Sequence, residues 1–129
     1  MKEYIFHLNP AAKPRMVRSD KWKKRSATDR YWAFKDQLIL QANLSGLQSL
    51  PDSIEMLTFV VPMPDSWSEK KKALNDKTPH KQRPDLDNML KALQDCLCKE
   101  DNYIWCIGRL TKVWGRTGKI LIGINDNTV

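Results

Sequence analysis

The sequence is poor in the residues that most readily mark a catalytic or metal site. Among 129 residues there are only two histidines, three cysteines and five glycines. The histidines, His7 and His80, stand alone, so neither supports a zinc site or nucleophilic catalysis. Cys96, Cys98 and Cys106 are odd in number and lack C-x-x-C spacing, which argues against a disulfide framework and a zinc ribbon. A glycine-rich phosphate loop is also absent, so hydrolysis of nucleoside triphosphates has no support.

Long apolar runs are missing as well. Residues 57–63, for example, are interrupted by Thr58 and Pro62. We therefore expect no membrane-spanning or signal segment, and a reducing cytoplasm is the simplest setting for these thiols. The chain also lacks repeats and low-complexity tracts. With 41% hydrophobic and 29% charged residues, it is expected to form one globular domain over residues 1–129, whose modest core would gain from dimer formation.

Positive charge is what the chain has in excess. Its 22 lysines and arginines outnumber 15 acids, which gives a net charge of +7. Residues 85–101 reverse this balance, because five acids there face two lysines, a net charge of −3. The rest of the chain therefore carries +10, concentrated in residues 1–30 and 65–83. Such basic surface attracts polyanions, because neutralised phosphates release their counterions.

The acidic segment within this basic chain points to a metal ion. Its carboxylates would repel the polyanion that the basic surface attracts unless cations lie between them. Carboxylates bind hard divalent cations, and these cations in turn bind phosphate oxygens. The charge distribution therefore predicts metal-dependent chemistry on a nucleic acid.

The first half of the chain alternates between strand and helix patterns. Residues 4–8 alternate as a strand, and a helix is expected from an N-cap at Thr28 to about Leu44. Residues 54–61 are rich in β-forming side chains on both faces, as in an inner strand. Residues 64–84 hold prolines and a lysine run without periodicity, so we expect a long, mobile loop there.

A second helix is well marked at its start. Pro84 disfavours helical backbone before it, and Asp85 can cap it. One apolar stripe follows at helical spacing: Leu86, Met89, Leu90, Leu93 and Leu97. Because that stripe faces the core, Asp87, Lys91 and Asp95 lie one turn apart along a neighbouring face.

Two more strands complete the predicted fold. Residues 104–114 and 119–125 have β patterns, and the glycine-flanked residues 115–118 predict a hairpin between them. The order is therefore β-α-β-α-β-β. It indicates a two-layer α/β (α+β) fold, in which two helices cover one mixed sheet.

Asp85, Asp87 and Asp101 are the candidate metal ligands. The dipole of the helix N-terminus allows Asp85 and Asp87 to remain ionised close together, although it also makes acids there ordinary helix stabilisers. Asp101 comes directly after the helix and before a strand, where a short connection can return it toward the other two. Three carboxylates in this arrangement can hold one or two Mg²⁺ ions, with Mn²⁺ as the alternative, and leave open positions for water and a phosphodiester.

At these residues the sequence resembles a known family. The string RPDLDNMLK at residues 83–91, followed by Asp95 and by Asp101 before a strand, is similar to the signature of the RusA-type Holliday-junction endodeoxyribonucleases of bacteria and their phages. The expected strand order fits that family across nearly the whole chain. The resemblance implies a homodimer that cuts two symmetric strands of a four-way junction.

The resemblance also implies roles for individual residues. Asp85, Asp87 and Asp101 correspond to the family's metal-binding catalytic aspartates, and Lys91 to its active-site lysine. Lys112 matches a lysine often found on the penultimate strand. Two departures from the family are a short connection before Asp101 and a tyrosine at position 103, where glutamine is frequent.

The expected reaction is Mg²⁺-assisted hydrolysis of a phosphodiester. Lys91 would offset the negative charge that develops at phosphorus, but an i, i+4 pair with Asp87 is the structural alternative. Asp95 either orients Lys91 or is solvated. Glu100 either supports the site beside Asp101 or lies on the surface.

DNA contacts are expected mainly in two basic loops at about residues 10–27 and 64–84. Trp22 and Trp67 are interleaved with lysines there and could stack on unpaired bases, although Trp22 is as well suited to anchoring its loop. We expect His80 in the second loop near the DNA. The candidate contacts are Lys13, Arg15, Arg18, Lys21, Trp22, Lys23, Lys24, Arg25, Lys70, Lys71, Lys72, Lys81, Arg83 and Lys112.

The predicted function is therefore Mg²⁺-dependent resolution of four-way junctions by paired hydrolysis in DNA recombination and repair. One alternative is a DNA-binding module without catalysis, in which the acids only stabilise a helix. Another is a nuclease of the same reaction type that acts on a different branched DNA.

Overall fold

A computed structural model describes residues 1–14, 26–98 and 103–125. Within these residues the chain forms a four-stranded mixed sheet and three helices, which confirms the predicted α+β class. The elements are β1 (Lys2–Phe6), α1 (Ser26–Ser45), β2 (Ser53–Pro62), α2 (Glu69–Asn75), α3 (Leu86–Leu97), β3 (Cys106–Gly115) and β4 (Lys119–Ile124).

The core lies between one face of the sheet and helices α1 and α3. Every apolar residue expected to face inward from α1 is buried, namely Tyr31, Phe34, Leu38 and Ala42. From α3 the buried residues are Met89, Ala92, Leu93 and Leu97. Opposite them the sheet contributes Leu57, Phe59, Ile120 and Ile122, each with no exposed surface. The stripe predicted for α3 is thus the stripe that packs, and it fixes which side of this helix meets solvent.

The strand order is β1-β4-β2-β3, so β2 is an inner strand as predicted. It runs antiparallel to β4 and parallel to β3. The predicted hairpin between β3 and β4 is wrong, because β2 lies between them and pairs with both. The connection at residues 115–118 instead crosses the end of β2, where a Cβ added to Gly115 would overlap Cγ1 of Val60. A strand with β-forming side chains on both faces is suited to that central place.

Two predicted boundaries also differ from the structure. Thr28 is not the N-cap of α1, since the helix begins at Ser26 and Thr28 lies within its first turn. β1 ends at Phe6 rather than residue 8, because the Gln41 side chain takes both backbone groups of His7. The Gln41 oxygen accepts from the His7 N–H at 2.8 Å, and its amide donates to the His7 carbonyl at 3.0 Å.

The segment predicted as a long mobile loop contains a helix. The Ser68 hydroxyl caps α2 by accepting a hydrogen bond from the Lys71 N–H at 3.2 Å. Farther along, the segment pairs with the edge strand β3: the Lys77 N–H donates to the Trp114 carbonyl, and the His80 N–H donates to the Lys112 carbonyl. Residues 64–84 therefore contain a helix and a stretch paired with the sheet, and the prediction that they lack regular structure is wrong.

The second face of the sheet is covered by none of the described helices. Ile5, Leu121, Thr58 and Thr111 form one row across all four strands. Met56, Val60 and Val113 add to it, and together these seven residues line a shallow depression of about 730 Å³. We call these seven residues the open face. None of the helices in the described part of the chain is long and apolar enough to cross a membrane.

Candidate active site

Two of the three predicted metal ligands stand at the start of α3. Asp85 occupies the N-cap position with extended backbone, yet its side chain makes no capping hydrogen bond. Asp87 lies in the first helical turn, and both side chains are exposed. Neither carboxylate has an ion-pair partner among the described residues. Both carboxylates are therefore exposed and without an ion-pair partner in the described chain, as hard oxygen ligands would need to be.

Lys91 lies one turn beyond Asp87 and is exposed. Within the described chain it forms no ion pair with Asp87 or with any other acid. The i, i+4 pair that would have explained Lys91 structurally is thus not formed. Its ammonium remains available on the same end of α3 as the two aspartates.

Asp95, at the other end of α3, has a different environment. Its carboxylate lies 2.6 Å from the Lys13 ammonium, and the Asp95 side chain is only 23% exposed. Asp95 thus joins the N-terminal loop to α3, and in the described chain it forms no ion pair with Lys91. Lys13 belongs to the predicted DNA contacts, and its ammonium is held at this pair.

Several predicted site residues lie outside the described residues. They are Asp101 and Glu100 of the candidate active site, and Arg15, Arg18, Lys21, Trp22, Lys23, Lys24 and Arg25 of the first basic loop. Among the residues that are described, no group of three acids, histidines or cysteines could hold a metal ion. The described chain thus provides two adjacent carboxylates, and the third predicted ligand is not part of it.

Tyr103, at the position where the resemblance expects glutamine, has a clear structural contact. Its hydroxyl donates a hydrogen bond to the Leu50 carbonyl. Burial, followed by the neighbouring Cys98, raises the pKa of Tyr103 to about 12. The phenol is therefore neutral at physiological pH and anchors the chain that leads into β3 to the loop before β2.

A groove lined by positive charge runs beside Asp85. It lies between edge strand β3 and the segment that precedes α3, and has a volume of about 670 Å³. Its cationic lining residues are Lys77, Lys81, Arg83, Arg109 and Lys112, and Asp85 is its acid. We call this feature the basic groove. Its cations and its position beside an uncommitted carboxylate suit the backbone of a nucleic acid strand.

Sequence reasoning assigned Lys81, Arg83 and Lys112 to DNA but missed Lys77 and Arg109. Lys77 was missed because it lies in residues 64–84, which were predicted to be a loop without regular structure. Arg109 lies in a strand pattern, and its place at the groove depends on β3 being an edge strand, which the hairpin prediction obscured. The strand order was thus the missing information.

Trp67 and His80, both expected near DNA, pack against the buried Trp114 instead. The ring centroids of Trp67 and Trp114 are 4.8 Å apart, and those of His80 and Trp114 are 4.2 Å apart. The Lys71 ammonium lies 4.2 Å from the Trp67 ring centroid. Burial, reinforced by nearby Lys112, lowers the pKa of His80, which is 5% exposed. These contacts fix α2, with its lysines Lys70, Lys71 and Lys72, to the edge of the sheet.

Lys112 also makes contacts that the sequence did not indicate. Its ammonium donates hydrogen bonds to the carbonyls of Gln82 and Pro84, each at 2.6 Å. Both acceptors belong to the segment that ends at Asp85, and the Arg83–Pro84 peptide within it is cis. Lys112 therefore contacts the backbone that carries the first candidate metal ligand.

Comparison with known proteins agrees with this arrangement. Neither the curated proteins nor the solved structures include a significant match to the chain. The sequence profile of the family described as "Endodeoxyribonuclease RusA" matches residues 7–125, which contain both helices of the core, all of β2, β3 and β4, and the candidate active site. Because this match spans nearly the whole chain, the protein belongs to the RusA endodeoxyribonuclease family.

Proposed function

We propose that this protein is a Mg²⁺-dependent endonuclease that resolves four-way DNA junctions by paired phosphodiester hydrolysis. The family supplies the class of activity, which is cleavage of DNA within a strand. The observation that carries the finer proposal is the pair of uncommitted carboxylates, Asp85 and Asp87, beside the basic groove. Its biological setting would be DNA recombination and repair in the cytoplasm of a bacterium or a phage-infected cell.

The residues at the start of α3 suit a hard divalent cation. Asp85 and Asp87 would hold it, and Asp101 is the third ligand in this proposal. Mg²⁺ is the proposed ion and Mn²⁺ the alternative, because both prefer oxygen ligands. When bound, such an ion polarises a phosphoryl oxygen and lowers the pKa of a coordinated water.

Lys91 would act on the substrate directly. Its ammonium has no partner among the described residues and lies one helical turn from Asp87. A cation at this place stabilises the extra negative charge that the phosphate develops in the transition state. The packed helix fixes the backbone of Lys91, so its side chain starts from a defined place beside Asp87.

The basic groove would hold the strand that is cut. Lys77, Lys81, Arg83 and Arg109 line it, and phosphate contacts of this kind position a strand without reading its sequence. A strand lying along β3 would bring one phosphate to Asp85 at the end of the groove. This supports cleavage directed by DNA shape.

The open face is the proposed contact between two copies of the chain. A four-way junction is nearly two-fold symmetric, so paired cuts require two active sites related by two-fold symmetry. The open face has apolar and threonine side chains at its centre, whereas charged residues such as Arg109, Arg116 and Lys119 lie around it. An uncharged centre with a polar rim is typical of a protein interface, and two sheets can pack face to face.

The decisive experiment compares DNA substrates and metal ions. We expect cleavage of a four-way junction at two symmetric sites with Mg²⁺, far slower cleavage of linear duplex and single strand, and none with EDTA. Equal cleavage of a flap or another branched DNA would contradict the four-way junction as the specific substrate. The proposed reaction, hydrolysis of a phosphodiester, would still stand. Junction binding without cleavage under any divalent ion would favour the non-catalytic module.

Assembly is tested separately by light scattering. Leu121→Glu, at the centre of the open face, should convert a dimer to a monomer, because a charge cannot be buried there without a partner. Leu44→Glu is the matched control, since Leu44 is 80% exposed on α1. A wild-type protein that stays monomeric with junction DNA present would contradict the proposed dimer.

A further inference from the structure

Lys112 is placed to hold a segment of the protein rather than the DNA. It lies in β3 opposite Phe59 of β2, so its side chain leaves the sheet on the core side. The side chain is half-buried, and the ammonium donates to the Gln82 and Pro84 carbonyls at 2.6 Å each. An ammonium has three N–H donors, so two of them are used by the backbone.

Those two hydrogen bonds extend a line of backbone pairing. Residues 77–80 are paired with β3 through hydrogen bonds from the Lys77 and His80 N–H groups and from the Trp114 N–H to the Thr78 carbonyl. This backbone pairing stops at His80 within the described chain. Beyond it, the Lys112 side chain reaches the carbonyls at positions 82 and 84 and attaches the remaining residues to the same strand.

The last of these contacts is at Pro84, the residue before Asp85. Asp85 makes no capping hydrogen bond with α3, so its own side chain does not fix its position. Asp87, by contrast, is carried inside the helix, whose core face is fully packed. The Asp85 carbonyl accepts a hydrogen bond from the Met89 N–H at 3.1 Å, so α3 holds that side of the residue. The orientation of the Asp85 carboxylate relative to Asp87 therefore depends in addition on how the peptide before Asp85 is held.

We propose that Lys112 is a positioning residue, which fixes the Asp85 carboxylate relative to Asp87 by binding the carbonyls of Gln82 and Pro84. This inference rests on the proposed function, in which both aspartates are metal ligands. Residues that orient metal ligands commonly affect metal affinity by about 10- to 100-fold when they are replaced. Lys112 should accordingly act on the metal and only weakly on the DNA.

The test compares Lys112→Met with Lys81→Met in the full-length protein. Methionine keeps much of the aliphatic stem of lysine and removes all of its donors. Lys81 lines the same groove but is exposed and has no hydrogen bond to the described residues. Two quantities are measured: the dissociation constant of Mn²⁺ by calorimetry without DNA, and that of a four-way junction with Ca²⁺ replacing Mg²⁺.

For Lys112→Met we expect the Mn²⁺ dissociation constant to rise about 10-fold or more, and the junction dissociation constant to change less than about two-fold. For Lys81→Met we expect the reverse, since one phosphate contact is lost while the metal ligands stay in place. Unchanged Mn²⁺ affinity and weakened junction binding in Lys112→Met would overturn the proposal. Lys112 would then be a residue that contacts DNA.

Lys112→Arg covers the case in which the methionine variant does not fold. It keeps the positive charge but replaces a compact ammonium by a planar guanidinium, which cannot place two hydrogen bonds at the same points. We expect weakened Mn²⁺ binding with unchanged thermal stability, and unchanged Mn²⁺ affinity would overturn the proposal. Asp85→Asn separates this failure from that of the proposed function: if Asp85→Asn also leaves Mn²⁺ affinity unchanged, the metal site itself is wrong.

Discussion

The two ends of α3 carry acids of the same type in opposite situations. At the first end, Asp85 and Asp87 are exposed and have no ion-pair partner in the described chain. At the other end, Asp95 is mostly buried and lies 2.6 Å from Lys13. The comparison shows that acids on one helix can have opposite environments, which their spacing does not reveal. The difference is whether a cation from elsewhere in the described chain lies within ion-pair distance of the carboxylate.

The largest effect is expected at the unpartnered end. Asp85→Asn and Asp87→Asn should each lower the rate of junction cleavage by at least about 100-fold, because each removes a negatively charged metal ligand. Junction affinity should be retained or increased, since a charge that repels phosphate is lost. Single-turnover cleavage and gel-shift measurements give the two quantities.

Asp36→Asn is the control for this pair, because Asp36 is an exposed acid on α1, away from the basic groove. It should cleave at the wild-type rate. Near wild-type turnover by either Asp85→Asn or Asp87→Asn at saturating Mg²⁺ would remove that residue from the metal site.

A second prediction concerns Lys91, the lysine one helical turn beyond Asp87. Lys91→Ala should lower the cleavage rate by roughly 10- to 100-fold and junction affinity only slightly, because one of many cations is lost for binding but a fixed charge is lost at the reacting phosphate. The melting temperature should not change, since Lys91 has no ion pair to lose. Lys35→Ala on α1 serves as the control. Equal losses in rate and affinity would make Lys91 an ordinary phosphate contact.

At the other end of α3, loss of the Asp95–Lys13 ion pair should change stability rather than cleavage. Asp95→Asn should lower the free energy of unfolding by about 0.5–1 kcal/mol, a modest loss because Lys13 is half exposed and the pair is screened by solvent. Cleavage should remain within about three-fold of wild type. A double-mutant cycle with Lys13→Met measures the coupling by chemical denaturation, and a coupling of zero would show that the pair does not stabilise the fold.

The smallest effect concerns pH at the Asp85 end. His80 lies in the segment attached to β3, and burial lowers its pKa below the ordinary value. Acid then protonates the unfolded chain before the folded one, so stability contributed by neutral His80 is present above about pH 6.5 and is lost as the pH falls below that value.

Thermal unfolding between pH 7.5 and 5 tests this prediction. His80→Phe, which keeps a ring against Trp114, should flatten part of the fall in melting temperature on acidification. His7→Gln, a change at an exposed histidine, should leave the fall as it is in wild type. If the melting temperature of His80→Phe falls on acidification as much as that of wild type, groups other than His80 cause the fall.

The features that could be predicted from the sequence are those that depend on local patterns. The apolar stripe of α3 correctly predicted which side of the helix is buried. The β-forming residues of β2 correctly predicted that it is an inner strand. The sheet order, the pairing of Asp95 and the contacts of Lys112 could not be predicted. Each depends on groups that are distant in sequence and brought together only by the complete sheet.

The short helix α2 was missed for a related reason. It has no buried residue of its own and therefore no apolar periodicity. It is held from outside, by Trp67 against Trp114 and by the ion pair of Arg116 with Glu69 at 2.7 Å. The sequence analysis did not identify its capping residue, Ser68, which lies among prolines and lysines that are typical of a loop.

The position of β4 has a consequence for synthesis of the chain. β4 leaves the ribosome after the other described strands, yet it lies between β1 and β2, and Lys2 pairs with Ile124. Among the described strands, β1 therefore has no neighbour until β4 has been translated, and the contacts that close the sheet join residues far apart in sequence. A nascent chain that stops before β4 would leave β1 unpaired and β2 paired only with β3. The sheet face that supports α3 should accordingly be complete only after residues 119–124 have left the ribosome.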